Sequence, residues 1–172
     1  MDDRMLFVAL RLLHIGFGVF WAGAMAMMAW FIIPSVRAAG PAGGRVMQEL
    51  IGARRLSVWL ATAAGLTILS GAVMFWRLAR GGSGWARSHM GMTISTGAAA
   101  ALIAYALGMA VSVPTSKKIA ALGARMQSAG GPPDPALGAE MQALQQRAYT
   151  IARVIAMLVF VAVLAMAVGR YV

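Results

Sequence analysis

The sequence predicts an all-α protein: a four-helix transmembrane bundle, with an extramembrane helical hairpin between its third and fourth helices. Two observations carry this. The 172 residues are 60% hydrophobic and only 12% charged, about half the charged fraction of an ordinary soluble domain. The charges are also segregated: residues 12–36 form 25 residues without one, 56–76 form 21, 88–116 form 29 and 154–169 form 16. Roughly 20 apolar residues cross a hydrocarbon core of about 30 Å, so three runs qualify outright. The fourth qualifies with Arg153 and Arg170 at its ends, whose long stems reach the interfaces. One transmembrane domain, 1–172, is expected, with spans at about 5–33, 55–76, 86–113 and 150–171 and the hairpin at about 115–150.

The first span reads as retained rather than as a cleaved leader. Its start, Met1-Asp2-Asp3-Arg4, is acidic, and the apolar run is about twice the usual leader length. Pro34 is expected to end it. The connection that follows is rich in Gly and Pro, and 45–51 carries a weak amphipathic pattern suited to the interface. After the third span, 128–135 (Ser-Ala-Gly-Gly-Pro-Pro-Asp-Pro) is a dense breaker. Asp134 before Pro135 reads as an N-cap with proline at the first helical position. One unbroken helix should run from there into the membrane, its polar turns paired with 116–127.

Small residues let helices approach closely in lipid. The third span has a row of them at Thr96, Ala100, Ala104, Gly108 and Ser112, and the second offers Ala61, Gly65, Ser70 and Gly71. A tight bundle follows.

The net charge of +10 would point to nucleic acid in a soluble protein. Here the basic residues flank the spans, where anionic headgroups attract them; lipid is the expected partner, with other membrane proteins or another copy of the chain, and not nucleic acid. Nine Lys and Arg fall on the side of the two long connections and six on the side of the termini. The positive-inside rule then leans toward termini outside the cytoplasm. Without cysteine, disulfides, iron–sulfur clusters and thiolate metal sites are excluded.

No Asp, Glu, Lys or Arg lies mid-span. Proton-relay carboxylates, a transporter's charged pair and a Ser/His/Asp hydrolase site are therefore excluded, and no catalytic residues are expected. Two histidines remain. His14 lies three residues inside Arg11 and His89 two inside Arg87, on spans that run in the same direction. Both should lie about one turn below the terminus-bearing interface. Two imidazoles at one level are what a bis-histidine haem b requires, with propionates near Arg11, Arg77, Arg80, Arg87 or Arg170. His14, Gly18, Trp21, Met25 and Met28 share one helical face; Gly18 would leave room for a flat macrocycle and Trp21 would wall it. Ordinary packing accounts equally for glycine and methionine at this spacing, and an interfacial imidazole bonded to a carbonyl accounts for His14. A copper reading rests on 88–92, Ser-His-Met-Gly-Met, because thioether and imidazole suit Cu(I).

Leu13-His14, then Phe20-Trp21-Ala22-Gly23 and Pro34, resembles the opening helix of the copper-resistance D family and its bacterial relatives, which include a membrane-bound protoporphyrinogen oxidase. Leu69-Ser70-Gly71 and the segment 137–147 are also similar to that group. The resemblance implies a four-helix bundle of the bacterial inner membrane whose His14 binds haem or handles copper. Those oxidases carry a lysine early in the third helix, and none occurs between Ser88 and Ser116. The expectation is therefore a b-type haem bundle serving electron transfer or a larger redox complex. The alternatives are a cofactor-free assembly subunit and a copper-handling protein.

Overall fold

A computed structural model describes residues 2–80, 82, 84–128, 134–169, 171 and 172. The breaker core 129–133 and Arg170 lie outside the described residues. The described chain forms α1 (Asp3–Ala38), α2 (Gly40–Ile51), α3 (Leu56–Ala79), α4 (His89–Ser128) and α5 (Pro135–Val168), with one 3₁₀ turn at Trp85–Arg87. All but α2 are long and apolar enough to cross a membrane.

Pro34, expected to end the first span, does not, and neither does Pro114 in α4. A proline offers no N–H, and its ring collides with the carbonyl four residues back. In both long helices a single π turn absorbs this just before the proline. Met28–Ile32 precedes Pro34, and Gly108–Ser112 precedes Pro114. The Ile33 N–H donates to Met28 O and the Val113 N–H to Gly108 O, each five residues back. That extra residue per turn resets the ladder, so α1 continues to Ala38 and α4 to Ser128. Gly40, at φ +56°, then turns the chain into α2 in a conformation that suits glycine.

α1 lies along α3 and touches α5, while α4 lies along α5; α3 and α4 meet only sparsely. The bundle is thus two helix pairs in ring order α1, α3, α4, α5, with α1 and α4 diagonal. Small residues fill its centre: Ala63, Ala64, Ala100, Ala101 and Ala104 pack with Trp21, Ile155, Val159 and Ala162. The expected row on α4 divides. Ala100 and Ala104 are buried, Thr96 is exposed, and Gly108 and Ser112 border a cavity. The closest approach to α5 is instead at Gly97, where an added Cβ would meet Ala162 O and Ala165 Cβ at 3.2 Å. Ala101 and Ala104 continue that face at helical spacing.

The end of α4 pairs with the start of α5, with Leu122 buried and Gly123 facing Met141. Asp134 accepts from the Ala136 N–H at 2.8 Å and Pro135 opens α5, as the Asp-Pro pair predicts. The 34 residues of α5 reach about 51 Å, well beyond the hydrocarbon core. Nearby, the Tyr149 ring of α5 receives the guanidinium of Arg37 at 5.3 Å and that of Arg153 at 5.6 Å, which ties the end of α1 to α5. Outward faces are apolar: Leu12, Val19 and Leu69 are 68%, 67% and 65% exposed. Such a belt is stable only against lipid, so the chain is a multi-pass membrane protein.

Candidate functional site: an oriented imidazole and a seam in the bundle

His14 lies half-buried on the inner stripe of α1. Its Nδ1 is 2.8 Å from the carbonyl oxygen of Thr67 on α3. A carbonyl can only accept, so Nδ1 carries the proton, and in the neutral form of the ring the lone pair is then on Nε2. One glycine makes this contact possible. A Cβ at Gly71 would stand 2.8 Å from His14 Cε1 and 2.9 Å from Nδ1, so only glycine lets the ring lie this close to α3. A Cβ at Gly18 would meet the Thr67 methyl at 3.4 Å. The space beside Gly18, expected to admit a macrocycle, is therefore taken by Thr67. Thr67 is itself buried, its hydroxyl bonded to Ala63 O at 2.8 Å, and the Ser70 hydroxyl donates to Leu66 O and Thr67 O.

The other expected site residues do not gather around this ring. Trp21 is 5% exposed in the alanine core and about two turns deeper, rather than against the imidazole. His89 is the first residue of α4 and exposed, with Ser88 as its N-cap. The first turn of α4 sits on the Trp85 backbone through Gly91, and Trp85 meets Phe75 edge-on at 5.3 Å. Phe75 is about 6 Å beyond Gly71 along α3. The start of α4 is thus nearer the interface than His14, on the diagonal helix, while His14 is turned toward α3. His89 stands exposed at the start of α4, whereas the His14 ring is bonded to α3.

Of the arginines, Arg77 binds Asp3 at 3.1 Å and Arg80 stacks on Trp76 at 3.8 Å. Arg11 and Arg87 are exposed and make no ion pair among the described residues. Met90 is half-buried and Met92 exposed on either side of the buried Gly91, so the two thioethers diverge, as i and i+2 on a helix must. Among the described residues no three His, Asp or Glu side chains cluster to hold a metal.

A second feature has no counterpart in the sequence reading. Where α3 and α4 fail to pack, a cavity of about 310 Å³ opens toward the side of the long connections. Trp21, Leu60, Ala64 and Ile155 form its inner wall; Ser57, Ser116 and Lys117 stand at its rim.

The Thr67 carbonyl gives no sequence signal, since any residue supplies one. Gly71 did, although its neighbour was not foreseeable: it lies one turn after Thr67 on the same face. Comparison of the chain with family models, with curated proteins and with solved structures finds no match.

Proposed function

We propose that this multi-pass membrane protein is a small b-type haem protein in which His14 supplies the iron ligand. One observation carries the reading: Nδ1–H of His14 is committed to the Thr67 carbonyl at 2.8 Å, which leaves Nε2 as a free donor of fixed orientation. Metal-ligating histidines characteristically donate their other N–H to a carbonyl or carboxylate, which fixes the tautomer and raises ligand basicity. An ionisable group inside a span is also a functional hypothesis by default. The donor chemistry fits one axial position, and the reading rests on His14 alone because His89 is exposed at the start of α4. Bound haem would contribute one-electron transfer; the chain's own part is to orient His14 through Thr67 and Gly71 and to keep that ring in an apolar setting. Arg11 and Arg87, both without an ion pair among the described residues and at the same end, would suit propionates.

A cofactor-free assembly subunit is the second reading, and the same bond favours it. Interhelical hydrogen bonds are ordinary glue in lipid, and His14–Thr67 joins α1 to α3 without any metal. The charge asymmetry of nine against six supports an inner-membrane protein with both termini periplasmic. Quantifying extractable haem and metals in the purified chain tests the choice. Near-stoichiometric haem b supports the first reading, its absence the second, and stoichiometric copper would replace both.

A further inference from the structure

We infer that the seam between α3 and α4 is a binding site for one anionic membrane lipid, with an acyl chain in the cavity and the acidic headgroup at Lys117. The inference is independent of any haem. At about 310 Å³ the cavity is at the small end of ligand sites, and its polarity is graded. Apolar side chains, Trp21, Leu60 and Ile155, form the inner wall, whereas Ser57, Ser116 and Lys117 form the rim on the connection side. No acidic residue lines it. An amphiphile enters such a space tail first, and the exposed ammonium of Lys117, which makes no ion pair among the described residues, selects an acidic head.

Two further observations show that the space is kept open. Gly108 has an ordinary helical backbone (φ −58°, ψ −51°), and an added Cβ there meets nothing within 4 Å. Neither conformation nor packing demands glycine, so its effect is to leave the wall recessed. Gly108 also begins the π turn of α4, which rotates the helix at Gly108, Met109 and Ser112, all of them lining residues. Single π turns recur at functional sites.

The test uses the full-length protein in nanodiscs of phosphatidylglycerol and phosphatidylcholine, with retained lipid counted by native mass spectrometry after mild delipidation. The wild type should retain one phosphatidylglycerol selectively. Gly108→Leu should lose it, because its side chain enters the cavity from a position where an added Cβ meets no neighbour. Gly16→Leu is the control on fold and detergent handling, since an added Cβ at Gly16 also meets nothing and Gly16 is exposed; it should retain lipid normally. Lys117→Gln should weaken the preference for phosphatidylglycerol roughly fivefold, the effect of one basic group near an anionic surface. Tyr105→Phe should change nothing, because Tyr105 lines the cavity with its hydroxyl beside Gly65 of α3, where an acyl chain offers it no partner. Retention by Gly108→Leu equal to wild type overturns the site. Equal retention of both lipids overturns the headgroup assignment, and loss in Tyr105→Phe overturns the tail-first arrangement.

Discussion

Replacing Gly71 by alanine tests the contact on which the site is built. The new Cβ would lie 2.8 Å from His14 Cε1 and 2.9 Å from Nδ1. Carbon atoms rest about 3.5–4.0 Å apart, so the imidazole must retreat by roughly 0.7–1 Å. The bond to Thr67 O, 2.8 Å in the wild type, would then stretch beyond about 3.5 Å and cease to be a hydrogen bond. Losing that bond costs about 1 kcal/mol, and overpacking at the α1–α3 contact adds about 1–3 kcal/mol. Alanine also gains up to about 1 kcal/mol over glycine in helix propensity, which complicates a single measurement. Gly18→Ala removes that complication. It makes the same substitution one helical turn from His14, but its Cβ meets the Thr67 methyl at an ordinary 3.4 Å. The propensity gain is common to both and cancels in the difference. Unfolding titrations in mixed micelles should therefore find Gly71→Ala less stable than Gly18→Ala by about 2–4 kcal/mol. Nitrogen-15 spectra of the imidazole should show the Nδ1–H tautomer in Gly18→Ala and its loss in Gly71→Ala. Equal stability of the two variants, with the tautomer intact in both, would refute the reasoning.

Three other outcomes follow from the fold. Ala104 is 0% exposed, so Ala104→Leu should wedge the bundle open and destabilise it by about 1–3 kcal/mol, whereas Thr96→Leu on the exposed face of the same helix should be nearly silent in the same titration. Arg55 caps α3 at φ 51°, a left-handed conformation that costs a non-glycine residue roughly 1 kcal/mol; Arg55→Gly should raise the unfolding midpoint, and a lower one would show that the Arg55 side chain matters more than its backbone. A reporter fused after Val172 should read periplasmic, and cytoplasmic activity would invert the orientation while leaving the spans intact.

The architecture was legible where a physical constraint is written in consecutive residues. Charge-free runs give the spans, and Asp134-Pro135 gives the start of α5 because the capping oxygen and the missing N–H both act locally. Pro34 was misleading for the opposite reason. Whether a proline ends a helix depends on the ladder before it, and a π turn spanning Met28–Ile32 or Gly108–Ser112 has no compositional mark. The small-residue row on α4 was read along an i+4 line, but the tight face runs through Gly97, Ala101 and Ala104, because the α4–α5 crossing decides which side is inward. His14 was visible as the one titratable group deep in the first span. Its direction was not, since the partner is a backbone carbonyl on another helix. For His89 the count of residues from Arg87 did not reveal that Ser88 caps the helix there and puts His89 at its exposed first position.

The central claim is that His14 alone holds a haem iron through Nε2. It is tested most directly by reduced-minus-oxidised absorption spectra of the purified wild type, His14→Ala and His89→Ala, recorded at equal protein concentration. A reduced α-band in the wild type and in His89→Ala, absent in His14→Ala, is the predicted result. No band in the wild type, or a band that survives in His14→Ala, would contradict it.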